Sequence, residues 1–268
     1  MLIVTLGDLL LDVIVRLDEP LVTGADANAR TRTSPGGQAA NVAAWVAALG
    51  GQARCVSRRG EDAAGALVAG ELSARGVEVV GPVAGTNGVV VSVVAPDGER
   101  TMASDRGTAV LLEPDDLDAS WFACDCLHIS GYALLASPVD AAAVRAVELA
   151  RSHGARVSLD LSAWTGIRAH GPERFRRQLD TLHPDIVFGN EDEWAEVGSV
   201  DATRVVKRGP DGFDVVDGDR VERCQAGVVS VVDTTGAGDA LAAGFLLGGP
   251  ELALEAAARS VAQVGAMP

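Results

Sequence analysis

Lysine is nearly missing from this chain: of its 22 basic residues one is lysine, Lys207, and the rest are arginine. Basic residues of either kind are outnumbered by 37 acidic ones, which leaves a net charge of −15. That balance excludes nucleic acid and anionic membranes as partners, because a phosphate backbone or an acidic lipid surface needs a basic face. It leaves room for a small anion in one locally positive pocket. Aromatic residues make up only 4% of the chain, so valine, leucine and alanine must fill the core. Cysteine is limited to Cys55, Cys124, Cys126 and Cys224, with no Cys-x-x-Cys pair. The Cys124-x-Cys126 spacing is too tight for the usual zinc site, and the four read as buried thiols of a reducing compartment. The first twenty residues have no basic leader, and Asp8 and Asp12 interrupt their apolar run. They therefore read as neither signal peptide nor membrane span, and the expected location is the cytoplasm.

What is present is 268 residues of 48% hydrophobic content, enough for one large α/β domain. Short apolar runs at 2–7, 53–58, 125–131, 155–161, 185–190 and 203–209 alternate with helical patterns at 38–50, 61–76, 138–153 and 172–182. Such alternation predicts a mostly parallel sheet with helices on both faces. Two stretches break the pattern. Residues 11–17 and 87–104 are β-rich without a following helix, and the second holds a Pro-Asp-Gly turn. They predict a small antiparallel sheet projecting from the main body, built from distant parts of the chain. No repeats or linkers appear.

Four stretches carry chemistry. The first is "DTTGAGDALAAGF", residues 233–245. Gly236, Ala237, Gly238 and Asp239 fall at the first turn of a helix, where backbone N–H groups lack intrahelical partners and the dipole favours an anion. Glycines there let a phosphoryl group approach without a Cβ in the way. Asp239 repels such a group as a ligand but suits it as a base facing an attacking alcohol. Taken alone, the string also reads, less favourably, as a glycine turn whose aspartate complements the helix dipole. The second stretch, "SPGGQAANVAAW" (34–45), sets Gly36 and Gly37 before a helix with Asn41 one turn in. An asparagine amide suits vicinal hydroxyls, and it also suits a plain surface. The third, "FGNEDEW" (188–194), places Asn190 and Glu193 at a strand's carboxyl end. It fits a hydrated Mg²⁺ or a solvated acidic helix start. The fourth, "VVKRGPDGF" (205–213), is a strand and hairpin turn carrying Lys207, whose compact ammonium suits a phosphate.

In this order and spacing the four resemble the ribokinase-like (PfkB) family of carbohydrate and nucleoside kinases, and "GDLLLDV" (7–13) resembles its first strand and acceptor aspartate. The resemblance covers nearly the whole chain. It implies a single kinase domain over 1–268, Rossmann-like, with a β lid from about 11–35 and 87–104. It implies an ATP-dependent phosphotransferase acting on a hydroxyl of a sugar or sugar derivative; a nucleoside kinase, or a non-catalytic relative, is the alternative. Asp239 would be the base, and Gly236, Ala237 and Gly238 the anion hole. Asp12, Gly36, Gly37 and Asn41 would bind the acceptor. Asn190, Lys207, Gly209, Gly212, Gly236 and Gly238 would line the nucleotide site. Glu193 and Asn190 would organise Mg²⁺ through water, and Asp233 and Thr235 match a loop that binds a monovalent cation such as K⁺ in some members.

Three further expectations follow. Lid valines ("VVVSVV", 89–94) are too apolar for a free sheet, so the lid should cover the acceptor and join a homodimer. Arg100 and Arg106 on the lid face either solvent or the acceptor, with solvent the expected side. The segment from 195 to 204 leaves space for about one helical turn past the metal motif, short of the usual crossover, so one sheet face should lose helical cover there. The chain departs from the family's common pattern in three places. Lys207 stands where many members carry threonine. Of an Asp-x-Asn-x-Arg strand end only Asp160 fits, with Ser162 and Trp164 in the other places. The 195–204 link is short.

Overall fold

The computed structural model describes residues 1–268. Apolar runs become strands, and the stretches between them become helices. The chain begins with β1 (Leu2–Leu6), β2 (Leu10–Leu17), β3 (Ala29–Gly36), α1 (Gln38–Ala48), β4 (Gln52–Val56), α2 (Ala63–Ala74) and β5 (Val77–Val80). It continues through β6 (Asn87–Val94), β7 (Arg100–Gly107), β8 (Cys126–Ser130), α3 (Val139–Ser152), β9 (Arg156–Asp160), α4 (Trp164–His170) and α5 (Pro172–Leu182). The last part holds β10 (Ile186–Asn190), α6 (Glu191–Val197), β11 (Thr203–Lys207), β12 (Phe213–Asp217), β13 (Arg220–Cys224) and α7 (Ala237–Val261).

Nine strands form the main sheet in the order β13-β12-β11-β10-β9-β8-β1-β4-β5. The seven from β11 to β5 run parallel, and β12 and β13 add an antiparallel hairpin at one edge. Side chains alternate between the two faces. Ile3, Phe188, Val205 and Phe213 enter a core shared with α1, α2 and α7. Val4, Leu159 and Val187 enter a second core with α3, α4 and α5, which Val197 of α6 also joins.

The 195–204 link holds more than expected. α6 runs to Val197 and buries it, so the face over β10 keeps a helix. The reason is that α6 starts at the Asn190–Glu193 stretch itself rather than after it. Only the outer hairpin goes without helical cover on that side, where Asp214 is buried under Arg208 and Arg223.

Scarcity of aromatics has a structural effect. α1 and α7 meet through Ala39, Ala40, Ala43, Ala240, Ala242 and Ala243, all fully buried. Small residues let the two backbones approach, which brings the first turns of both helices to one place. α7 is the one helix long and apolar enough to cross a membrane. It is broken at Gly249 ahead of Pro250, and its first half lies in the core.

The small sheet has the order β3-β2-β6-β7. Within β2–β3 and β6–β7 the pairing is antiparallel, and where the two pairs meet, β2 and β6 run parallel from Leu11–Val89 to Arg16–Val94. The Pro-Asp-Gly turn closes β6–β7 as expected, with Ala95 and Glu99 hydrogen-bonded across it. All four cysteines are free; Cys55, Cys126 and Cys224 are buried and Cys124 is half-buried.

Candidate active site

Parallel strands end together, so loops at their carboxyl ends share one edge with the starts of α1 and α7. Between that edge and the small sheet lies a cavity of about 900 Å³. Asp12, Gly37, Asn41 and Asp239 line it, with Leu10, Ile14 and Val90 of the small sheet opposite.

Asp239 stands in the first turn of α7. Gly236 precedes the helix in a left-handed conformation (φ 79°), and the first intrahelical bond runs from Ala240 N to Gly236 O at 2.9 Å. The N–H groups of Gly238 and Asp239 therefore have no partner in the helix. Ala237 N is partly engaged, donating to Thr234 O at 3.3 Å. Of the three residues expected to form an anion hole, Ala237 alone has its N–H engaged. A Cβ on Gly236 would lie 2.6 Å from Ala266 Cα, so this turn rests directly on residues 264–267. That strap is itself pinned: Trp45 Nε1 donates to Ala266 O at 2.9 Å, and Gly265 N donates to Asp233 Oδ2 at 3.1 Å.

Asn41 Nδ2 donates to Asp239 Oδ2 at 2.8 Å, while Asn41 Oδ1 is buried with no partner at all. A buried carbonyl without a donor is costly unless a ligand supplies one. Gln38 lines the same cavity, and its side-chain oxygen accepts from both Ser130 Oγ and Ser162 Oγ at 2.5 Å. Ser162 holds a left-handed φ of 75°, a strained value for a side-chain-bearing residue, and it lines the cavity. Burial, and next the charge of Asp160, push the Asp239 carboxyl up to about 7; Asn41, Lys207 and Gln38 pull the other way.

Asp12 sits with its carboxylate in the space a Cβ on Gly36 would fill, 2.2 Å from that point. Burial pushes its carboxyl up to about 6 against the pull of Arg100. Gly37 needs its left-handed φ of 92°, and a Cβ there would lie 2.4 Å from Asp8 O. Arg106 corrects the expectation of a solvent-facing side chain. It lines the cavity, donates to both Asp8 oxygens at 2.7 and 2.8 Å, and lies over the Tyr132 ring. Arg100 also lines the cavity and donates to the Thr235 hydroxyl.

Asp233, Thr235 and Gly236 line that cavity too, whereas Asn190, Glu193, Lys207, Gly209 and Gly212 lie outside it. Asn190 and Glu193 bond to each other. Asn190 Oδ1 accepts from Glu193 N at 2.9 Å, and Glu193 accepts from Asn190 N at 2.8 Å, a reciprocal cap that starts α6. Glu193 is buried, and burial raises its carboxyl against the pull of Lys207. Lys207 points at Asp160, 2.7 Å from Oδ2. Gly209 and Gly212 shape the turn into β12. A Cβ on Gly212 would lie 2.0 Å from Cys224 O, so the hairpin itself demands glycine there. A smaller hollow of about 490 Å³ runs beside this turn past Arg208, Pro210 and Arg223. Asp233 accepts from Thr235 N (2.9 Å) and its hydroxyl (2.6 Å), and from Gly265 N. Burial works to raise its carboxyl, but these donors outweigh it and hold it below the usual range.

Asp8, Gln38, Ser130, Tyr132, Asp160 and Ser162 were not singled out as site residues from the sequence. Asp160 alone had a local signal, as the first residue of the strand-end pattern.

A doubly covered parallel sheet, a helix start with free N–H groups beside a carboxylate, and a sheet roofing the cavity between them define a small-molecule kinase. The chain belongs to the pfkB family of carbohydrate kinases, whose model matches residues 1–267. It is 32% identical over 250 residues to an ATP-dependent ribose-1-phosphate kinase of Halopiger xanaduensis, covering 88% of this chain and 80% of that one. It is 31% identical over 246 residues to a fructokinase of Klebsiella pneumoniae, covering 83% and 79%. The crystal structure of adenosine kinase from Sinorhizobium meliloti superposes with a TM-score of 0.88 at 26% identity, covering 99% of this chain and 95% of that one.

Proposed function

We propose that this carbohydrate kinase moves the terminal phosphoryl group of ATP to a hydroxyl of an uncharged sugar. Asp239 takes the hydroxyl proton, and the free N–H groups of the α7 turn hold the phosphoryl. One observation carries the reading: Asp239 and the unpartnered Asn41 oxygen line the same roofed cavity beside that turn. Asn41 Oδ1 accepts from one sugar hydroxyl, and Asp12 from another. An uncharged acceptor follows from the lining, which holds five acidic side chains (Asp8, Asp12, Glu99, Asp233, Asp239) against three arginines (Arg16, Arg100, Arg106). Arg106 is already matched by Asp8. A second anion would enter a cavity of its own sign.

The nucleotide would lie on the other side of the α7 turn, along Asn190 and the Gly209–Gly212 turn. Hard oxygen donors at Glu193 and Asn190 suit Mg²⁺, which supplies charge neutralisation on the phosphates when bound. No group of three ligating acidic, histidine or cysteine side chains gathers, so water and phosphate oxygens would complete its shell. K⁺ at Asp233 and Thr235 would have to draw that carboxylate away from the N–H groups of Thr235 and Gly265.

ADP release over ribose, fructose, adenosine and ribose 1-phosphate tests the reading. An uncharged acceptor should give the highest kcat/KM. Turnover with the sugar phosphate alone would overturn the charge argument. The reading also includes a homodimer through the small sheet. Leu10, Asp12, Ile14 and Val90 line the cavity, so Val13, Val15, Val91 and Val93 lie on its opposite face. Sedimentation at micromolar concentration should give a dimer, and a monomer alone rejects that part.

A further inference from the structure

Lys207 and Asp160 stand on the two strands flanking β10. Lys207 is in register with Asn190, and Asp160 with Phe188. The lysine reaches back across β10, and its ammonium lies 2.9 and 2.7 Å from the two Asp160 oxygens. Those are its only acceptors, so one of its three N–H donors is left without a partner. Asp160 is fully buried, and the lysine side chain keeps 16% of its surface exposed. A Cβ on Gly238 would lie 3.2 Å from Nζ, which sets the ammonium directly beneath the first turn of α7. Burial works against its charge, but Asp160, Glu193 and Asp239 outweigh it and hold it protonated.

We propose that Lys207 is a catalytic cation for the phosphoryl group in transfer, and that Asp160 is the positioning residue that parks its ammonium under the first turn of α7. This rests on the phosphotransfer reading above. The acceptor oxygen forms a bond to phosphorus as the bond to the leaving nucleotide oxygen breaks. The acceptor's proton goes to Asp239. The three remaining phosphoryl oxygens keep their negative charge throughout, and Lys207 gives up no proton. One of those oxygens meets the spare Lys207 N–H together with Gly238 N–H. Lys207 is the side-chain cation set among Asp160, Glu193 and Asp239, the three carboxylates whose charge acts on it.

Residue choice supports the assignment. The chain uses arginine for every other basic position. A guanidinium is a broad planar fork, whereas an ammonium is a compact point charge. Only the compact group fits beneath a glycine whose absent Cβ would already sit 3.2 Å away. The glycine at 238 and the lysine at 207 are thus two halves of one arrangement.

Three variants test it: Lys207→Met, Asp160→Asn, and both together. Lys207→Met should lower kcat by about 10²–10³-fold, the usual effect of removing one donor to the reacting charge, with acceptor KM unchanged. It should also lower Tm, because Asp160 is left buried and unpaired. The double variant should recover the Tm of the parent, its pair being neutral, and still lack turnover. Asp160→Asn should lower kcat less than Lys207→Met does, because the ammonium stays but is loosened. A double variant whose kcat returns along with its Tm overturns the proposal, because the lysine would then serve only to neutralise Asp160. So does a Lys207→Met variant with the parent's kcat. Asp239→Asn is assayed alongside: its full activity would bring down the phosphotransfer reading itself, an outcome distinct from failure at Lys207.

Discussion

Asp239→Asn will lower kcat by about 10²–10⁴-fold, the range for loss of a general base. Acceptor affinity will change little, because Asn41, Asp12 and the cavity walls remain. The parent's kcat/KM should rise with pH and level off above about 7, where the Asp239 carboxyl has lost its proton. The same ionisation has a stability consequence of opposite sense. A carboxyl raised from 3.8 to about 7 on folding binds its proton more tightly in the folded chain. The folded chain then carries more protons than the unfolded one between those values, so stability falls as pH climbs from about 4 to about 7. Asparagine at 239 carries no charge and escapes that loss. The variant should melt higher than the parent at pH 8 and match it at pH 4. An inactive variant that melts lower at pH 8 would point to collapse of the site rather than removal of a base. Near-normal turnover would remove Asp239 from the chemistry.

The second large effect is expected at Gly236. Alanine there meets two obstacles. Its φ of 79° is left-handed, which costs a residue with a Cβ about 1–2 kcal/mol. The new Cβ would also lie 2.6 Å from both Cα and O of Ala266, which are backbone atoms and cannot rotate away. Either the 233–238 loop lifts or the 264–267 strap detaches, and Trp45 Nε1 and Asp233 hold the strap. The loop is the freer partner, so the anion-binding N–H groups should shift. Gly236→Ala should lose about 10²–10³-fold in kcat and several degrees in Tm. A kcat within tenfold of the parent would show that this turn does not hold the reacting group.

Local sequence carried much of the fold. The buried parallel strands are short, mostly apolar runs, and their spacing leaves room for helices between them. The Gly236–Asp239 string and the "SPGGQAAN" stretch meet at one cavity, and each was legible as a candidate because its residues lie within a few consecutive positions. Two things were harder to read. Asn190 and Glu193 satisfy each other as a helix cap at 2.8–2.9 Å, and a cap and a metal motif have the same spacing. The Asp8–Arg106 pair joins residues 98 positions apart. Its signal exists only once the small sheet folds over the cavity, so Arg106 read as an ordinary surface arginine. Asp160 and Lys207 are likewise partners only through their shared neighbour β10. Contacts of this kind come from strand order, which a single sequence does not display.

The strap beneath the first turn of α7 also fixes when the cavity is completed. A ribosome makes the chain from its amino end. One wall of the cavity, from Asp8 to Arg106, emerges before half the chain exists. α7 comes near the end, and the residues that hold its first turn in place, 264–267, come after it. The two sides of the cavity are nonetheless finished together, because α1, which carries Asn41, packs against α7 and is tied to the strap through Trp45.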